Sequence, residues 1–244
     1  MKLATIVPFA YLGLGRFDDY HMVLAHLVDT NPGYERFFRE ASERGQFVLM
    51  DNGVVERGNP MNVHELLARA WRVKATELIL PDRIGDAYQT CRMSRQALVQ
   101  VGNLCQTMAV PQGNTFHAWK ECLSVMLDWP VASIGISRFT NAFGLNRLQV
   151  LEQADKLLAS SKQIHLLGCA GDPVEIWDIE QKWPGRIRGV DSGIASIYAQ
   201  ERLYMRDLGP KPLVELNFHA ESEEFSAYLR ANVKWWEKRC QGKI

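Results

Sequence analysis

The chain has 244 residues, with 28 Lys+Arg balanced by 28 Asp+Glu and no formal net charge. Its length suits one domain with a sizeable core, and its 47% hydrophobic content reads as a globular protein rather than a disordered one. The charge balance excludes a globally basic nucleic-acid coat, though not a local basic face, and no window holds the roughly 18 apolar residues that a membrane span requires.

In chain order, short apolar runs recur, each ending in a polar or small residue. The first, Leu3-Ala4-Thr5-Ile6-Val7, follows a start too quickly polar for a signal peptide and reads as a strand. Residues 10–32 are irregular, with Gly13, Gly15 and Asp18-Asp19 breaking helix and strand patterns alike, and read as a loop or lid. Glu35 to Ala41 is helical and stops at Gly45. Phe47-Val48-Leu49-Met50 then ends at Asp51-Asn52-Gly53. A helix capped by Asn62 precedes Leu78-Ile79-Leu80-Pro81, which ends at Asp82. Asp86 reads as the cap of the next helix, Tyr88 to Val99, or as an aid to Asp82, before Met108-Ala109-Val110-Pro111 ends at Gln112-Gly113.

Phe116 to Leu127 is helical, Ser133-Ile134-Gly135-Ile136 ends at Ser137-Arg138, and Leu145 to Ala159 is helical again. Ile164-His165-Leu166-Leu167 ends at Gly168-Cys169, and Pro173 suits the first turn of a helix. Ile187-Arg188-Gly189-Val190 ends at Asp191-Ser192-Gly193, and a final helix over 221–238 carries Trp235-Trp236.

Eight strands are expected, at residues 3–8, 46–51, 77–81, 106–111, 132–137, 163–168, 186–191 and 213–217. Continuous apolar strands separated by helices describe a buried parallel sheet. Eight such units over about 250 residues describe an α/β fold of the (β/α)8 TIM-barrel type, here one domain over residues 1–244. An open doubly wound sheet is the rival, but it usually shows a glycine-rich phosphate loop after its first strand, and Gly13-x-Gly15 is too fragmentary for one. Cys91, Cys105, Cys122, Cys169 and Cys240 form no C-x-x-C pair, so reduced thiols in a cytoplasmic protein, without metal, are expected.

In a barrel all strand C-termini face one side, which gathers Asp51, Asp82, Gln112 and Asp191 at one mouth. A carboxylate ending a buried strand is costly without partners, and its alternative role is to cap a helix or fix a loop. Two carboxylates in one pocket can divide labour as nucleophile and acid/base, which suits chemistry at an anomeric carbon. A carboxylate with a Gln amide also suits a purine edge. Further candidates are His117, which also fits a surface helix, His165, which also fits a satisfied core, and His219. Arg138, Arg147, Arg186, Arg188, Arg202 and Arg206 are either a phosphate-contacting face or solvated charges. Trp235-Trp236 reads as a docked helix rather than a stacking platform.

From residue 46 to 200 the chain resembles the tRNA-guanine transglycosylase superfamily, especially short phage and bacterial members that insert 7-deazaguanines into DNA. Asp51-Asn52-Gly53-Val54 is similar to the family's D-S-G-G/A-F motif, and Leu80-Pro81-Asp82 sits where a guanine-reading Asp is placed. Val110-Pro111-Gln112-Gly113 resembles V-Q-G-G, and Ile134-Gly135-Ile136-Ser137 the backbone-donating G-G-L/I-S segment. The run from His165 through Gly168, Cys169 and Ala170 to Pro173 resembles Y-L-M-G-V-G-x-P, and Asp191 falls where the nucleophilic Asp ends a strand.

The resemblance implies Asp191 as nucleophile at C1′ and Asp51 as acid/base. It implies Asp82 and Gln112 as readers of the base, with backbone N–H groups at Gly135 and Ile136, and Gly168 and Cys169 as a wall of the base slot. It further implies a ping-pong exchange without a cofactor, acting on nucleic acid with a free 7-deazaguanine such as 7-cyano-7-deazaguanine. The family's C-x-C-x-x-C…H zinc subdomain has no counterpart here, and Ser192-Gly193-Ile194 replaces its C-V-x-P-T-R segment. Those departures favour DNA over tRNA as substrate. A homodimer or a partner protein, N-glycoside hydrolysis, and a non-catalytic binding subunit are the remaining readings.

Overall fold

Eight strands, all parallel, are joined in one continuous ladder. They are β1 (Lys2–Thr5), β2 (Tyr20–Leu24), β3 (Phe47–Asp51), β4 (Glu77–Ile79), β5 (Gln106–Ala109), β6 (Ser133–Ser137), β7 (Gln163–Leu167) and β8 (Ile187–Ser192). The ladder runs from β2 in sequence order to β8 and then to β1, whose Ala4 is in register with Asp191. β1 and β2 lie side by side as the seam, so the sheet forms a nearly closed barrel. The computed structural model describes residues 1–15, 19–158, 162–169, 174–207, 211–240 and 242–243. Asp18 of the expected loop, Ala159, and Ala170 to Pro173 with the expected helix start lie outside them.

The helices surround the barrel: α1 (Pro32–Glu43), the short α2 (Val54–Arg57), α3 (Val63–Arg72), α4 (Ala87–Val101) and α5 (Phe116–Leu127), then α6 (Arg147–Leu158), α7 (Val174–Lys182), α8 (Ile194–Gln200) and α9 (Glu223–Cys240). Side-chain caps fix several starts. Asn31 Oδ1 accepts from the Gly33 and Tyr34 N–H groups, Asn62 from His64, Asp86 from Gln89 and Thr115 from Ala118. Trp236 is fully buried on α9, which packs against α8 and α7, so the Trp pair docks a helix as expected.

Two elements differ from expectation. The irregular stretch after β1 contains a strand, Tyr20–Leu24, and a 3₁₀ segment, Phe9–Gly15, stands where a crossover helix would be. Conversely, residues 213–217 form no strand. They pass over the mouth, tied by Gln200 Nε2 donating to Glu215 O (3.0 Å) and Asn217 N donating to Gln200 Oε1 (2.8 Å). With β2 lying between β1 and β3, the ladder already holds eight strands without residues 213–217.

Alternation along the strands sets what faces inward. Met22, Leu24, Asp51, Ile79, Val110 and Asp191 all border the interior cavity at the strand C-termini. One or two residue pairs lower, Tyr20, Glu77, Ser133, His165 and Arg188 meet inside the barrel. Arg188 reaches there because β8 is irregular: Ile164 pairs with Ile187 but His165 pairs with Gly189, leaving Arg188 as the extra residue of a bulge. Gly189 in turn makes room, since a Cβ there would lie 2.7 Å from Tyr20 Cε1.

Candidate active site at the barrel mouth

The strand C-termini enclose a cavity of about 690 Å³, within the size range of small-molecule sites. Asp51, Asp82, Gln112, Gly168, Cys169 and Asp191 all line it, bringing together six of the eight site residues expected from sequence. The segment at 211–218 contributes Lys211, Val214, Glu215, Leu216 and Phe218 to its rim.

Asp191, at the end of β8, is buried but for a sliver of side chain facing the cavity. Its Oδ1 accepts from the Gly168 N–H (3.1 Å) and lies 3.0 Å from His165 Nε2. Gly168 holds a left-handed φ of 68°, and the next N–H, of Cys169, donates to the Asp191 carbonyl (3.0 Å). The β7 end therefore grips Asp191 by both backbone and side chain. His165 is wholly buried, as a satisfied core histidine would be, yet its partner is the candidate nucleophile.

Asp51, at the end of β3, accepts from the Gly53 N–H through Oδ2 (2.8 Å). Burial pushes its carboxyl well above the usual range, the Glu56 carboxylate adds to the rise, the Gly53 bond opposes it, and Asp191 and Asp82 add smaller pushes. These pushes together favour the protonated form of its carboxyl. Beside it, burial lowers the His26 imidazole pKa, against the Glu56 charge and with that of Arg57. His26 Nδ1 is buried without a hydrogen-bond partner among the described residues. His26 was not singled out from sequence, because it follows a strand that the sequence did not reveal.

Asp82 is clasped by two amides. Asn52 Nδ2 donates to Oδ1 (2.7 Å) and Gln112 Nε2 to Oδ2 (2.6 Å), while Asn52 also bonds Leu80 O (2.9 Å). Burial raises its pKa to about 6, with the two amide bonds opposing the rise. Each oxygen keeps a lone pair for a donor arriving from the cavity.

Gly135 and Ile136 are placed differently from expectation. They sit in mid-β6, in register with His165 and Leu166, and do not line the cavity. A Cβ on Gly135 would lie 2.7 Å from Leu167 Cδ1 and 2.9 Å from Met108 Sδ, so this glycine serves packing. Ser137, Arg138 and Phe139 take the cavity-lining place instead.

Of the arginines expected as a phosphate face, Arg147 and Arg188 are consumed in ion pairs with Glu175 and Glu77, and Arg186 bonds the Leu158 carbonyl. Arg202 and Arg206 pair with Glu224 and Asp207. Arg138 alone of the six lines the cavity, where Arg57 and Lys211 join it. Burial lowers the Lys211 pKa, and the Arg138 charge lowers it further. His117 is exposed and pairs with Glu121 on the surface of α5, while His219 packs edge-on against Phe9 outside the cavity.

Fold and site together define a (β/α)8 barrel with a carboxylate-rich cavity at the mouth. No protein-family model matches the chain, and no curated protein does. Among solved structures it is similar to the YdjI aldolase of Escherichia coli K12, at 13% identity over 98% of this chain and 89% of that one, TM-score 0.58. It is also similar to the N-acetylneuraminate lyase of Mycoplasma synoviae, at 11% identity over 97% of each chain, TM-score 0.55. A structure of PhdJ bound to a substrate intermediate matches at 13% identity over 100% of this chain and 97% of that one, TM-score 0.53. At such identities these likenesses establish the barrel. Among the described residues no helix is long and apolar enough to cross a membrane.

Proposed function

We propose that the chain is an enzyme, a guanine transglycosylase that exchanges guanine in DNA for a 7-deazaguanine base, with tRNA as the alternative polymer. The observation that carries this reading is the unlike treatment of two carboxylates at one cavity. Asp51 is pushed toward its protonated form by burial and Glu56, whereas Asp191 Oδ1 accepts from the Gly168 N–H and lies against His165 Nε2. Such a pair divides into acid and nucleophile.

Asp191 attacks C1′ of the target nucleotide as the C1′–N9 bond breaks, and Asp51 gives its proton to the departing guanine. The incoming 7-deazaguanine returns a proton to Asp51, attacks C1′ through its own N9 and releases the Asp191 carboxylate. Asp82, oriented by Asn52 and Gln112, accepts from N1–H and the exocyclic amine of the base. The target nucleotide has to leave the stack to enter a cavity at the bottom of a barrel mouth.

The test offers labelled guanine and 7-cyano-7-deazaguanine, separately, with duplex DNA, single-stranded DNA and tRNA, and reads digested nucleosides by mass spectrometry. Incorporation that disappears in Asp191→Asn supports the reading. Abasic sites in place of a new base would replace it with hydrolysis, and incorporation into tRNA alone would change the polymer. A second reading rests on Lys211, whose lowered pKa at the cavity rim suits imine formation with a carbonyl substrate. Borohydride trapping of a keto acid on Lys211, without base exchange, would favour it.

A further inference from the structure

Beneath Asp191 an unbroken line of hydrogen bonds crosses the barrel. His165 Nε2 faces Asp191 Oδ1 at 3.0 Å, and His165 Nδ1 faces the Tyr20 hydroxyl at 2.8 Å. That hydroxyl accepts from Arg188 Nε (3.2 Å). Arg188 also donates to the Glu77 carboxylate, which takes the Ser133 hydroxyl on its other oxygen (2.8 Å). The line draws on β2, β4, β6, β7 and β8, and every member is buried or nearly so.

The bonds fix its direction. A guanidinium only donates, so the Tyr20 oxygen is an acceptor toward Arg188. Its one proton then has His165 Nδ1 as the neighbouring acceptor. An imidazole that accepts at Nδ1 carries its proton on Nε2, and that N–H points at Asp191. The opposite tautomer would leave the Tyr20 proton without an acceptor among the described residues and set an imidazole lone pair against a carboxylate. Either fault is costly in a buried place.

We propose that His165 is the positioning residue of Asp191, locked by Tyr20 and Arg188 as the neutral Nε2–H tautomer so that Oδ1 is pinned and the second carboxylate oxygen is left for attack. The role in attack rests on the transglycosylase reading; the tautomer does not. Arg188, at the far end of the line, supplies the positive charge that polarises each donor toward Asp191, and Glu77 anchors Arg188.

The test uses the full chain labelled with ¹⁵N-histidine, the His165 signals being assigned by their loss in His165→Gln. At pH 7 the wild-type His165 is expected to show a protonated Nε2 and an unprotonated Nδ1. In Tyr20→Phe that pattern gives way to a mixture or a doubly protonated ring. A wild-type ring protonated on Nδ1, or on both nitrogens, overturns the proposal whether or not base exchange is observed.

With exchange active, loss of an orienting partner is expected to lower kcat by about 10- to 100-fold in His165→Phe and leave KM for the free base within about twofold. His165→Gln, which retains an N–H₂ donor, recovers part of that loss. An equal loss in the two variants, or a loss carried by KM, overturns the positioning role. Should His165→Phe not fold, Tyr20→Phe supplies the same kcat and KM comparison.

Discussion

Replacing Arg188 by Met tests the polar interior directly. Arg188 donates to Glu77 and Tyr20 and lies over the Phe47 ring, with its centroid 4.8 Å away. The Glu77 side chain is 0% exposed, and Arg188 is 10% exposed. Removing the guanidinium leaves Glu77 with the Ser133 hydroxyl as its donor, an uncompensated buried charge, and breaking such a pair costs about 3–5 kcal/mol. With a urea m-value of about 3 kcal/mol/M for a domain of this size, the unfolding midpoint drops by roughly 1 to 1.7 M. The double variant Arg188→Met/Glu77→Leu removes both charges and fills the space with apolar groups. It is expected within about 1 kcal/mol of wild type, because a buried pair exchanged whole for packed apolar side chains is close to neutral. Equilibrium urea denaturation of wild type, both single variants and the double variant closes the cycle. Additive single effects, with the double variant the least stable of the four, would refute the claim that the two charges exist in the barrel for each other.

Three further outcomes follow from individual contacts. Asp82 titrates near 6 in the folded chain against 3.8 for its ordinary value, so between those pH values the folded state keeps a proton that the unfolded state has released. Stability therefore falls as pH rises from about 4 to about 6, by up to about 3 kcal/mol from this group, and denaturation midpoints across that window should lose the corresponding slope in Asp82→Asn. Gly189→Ala sets a Cβ against the Tyr20 ring, at an overpacking cost of about 1–3 kcal/mol by thermal or urea unfolding, and shifts the His165 imidazole ¹⁵N signals through the displaced hydroxyl. Arg138 lines the cavity with no carboxylate partner among the described residues, so Arg138→Ala should weaken binding of single-stranded oligonucleotides and flatten the log Kd against log salt slope by about 0.7, read by fluorescence anisotropy.

The top of the barrel was legible in the sequence for a physical reason. A parallel strand covered on both faces is a continuous apolar run, and its first polar residue marks the mouth, so Asp51, Asp82, Gln112, Gly168 and Asp191 announced themselves. Tyr20–Leu24 did not, because a buried strand of five residues containing a histidine, close behind Gly13 and Gly15, gives too weak a pattern. Residues 213–217 misled in the opposite sense. Leu213-Val214-Glu215-Leu216-Asn217 alternates like a half-buried strand because Val214 and Leu216 turn toward the cavity while Leu213 is fully exposed. The line below Asp191 was hidden more thoroughly. Strict alternation would put Arg188 on the outer face, and the bulge that turns it inward is a property of pairing between β7 and β8, which no single segment encodes.

That hidden line explains how one cavity treats its carboxylates unequally. A barrel interior is filled adequately by branched apolar side chains, and an ionic layer inside it gives no general stability advantage. Here the layer is directional: Arg188 donates to Tyr20, Tyr20 to His165, and the last N–H faces Asp191 rather than Asp51 or Asp82. Asp51 stands outside the line, with the Gly53 N–H as its bond and the Glu56 carboxylate pressing its proton on. Asp82 is raised by burial to about 6 against the pull of two neutral amides. Asp51 and Asp82 are thus raised by burial against different neighbours, Glu56 beside the one and two amides on the other, while Asp191 is the carboxylate that meets the line below the mouth.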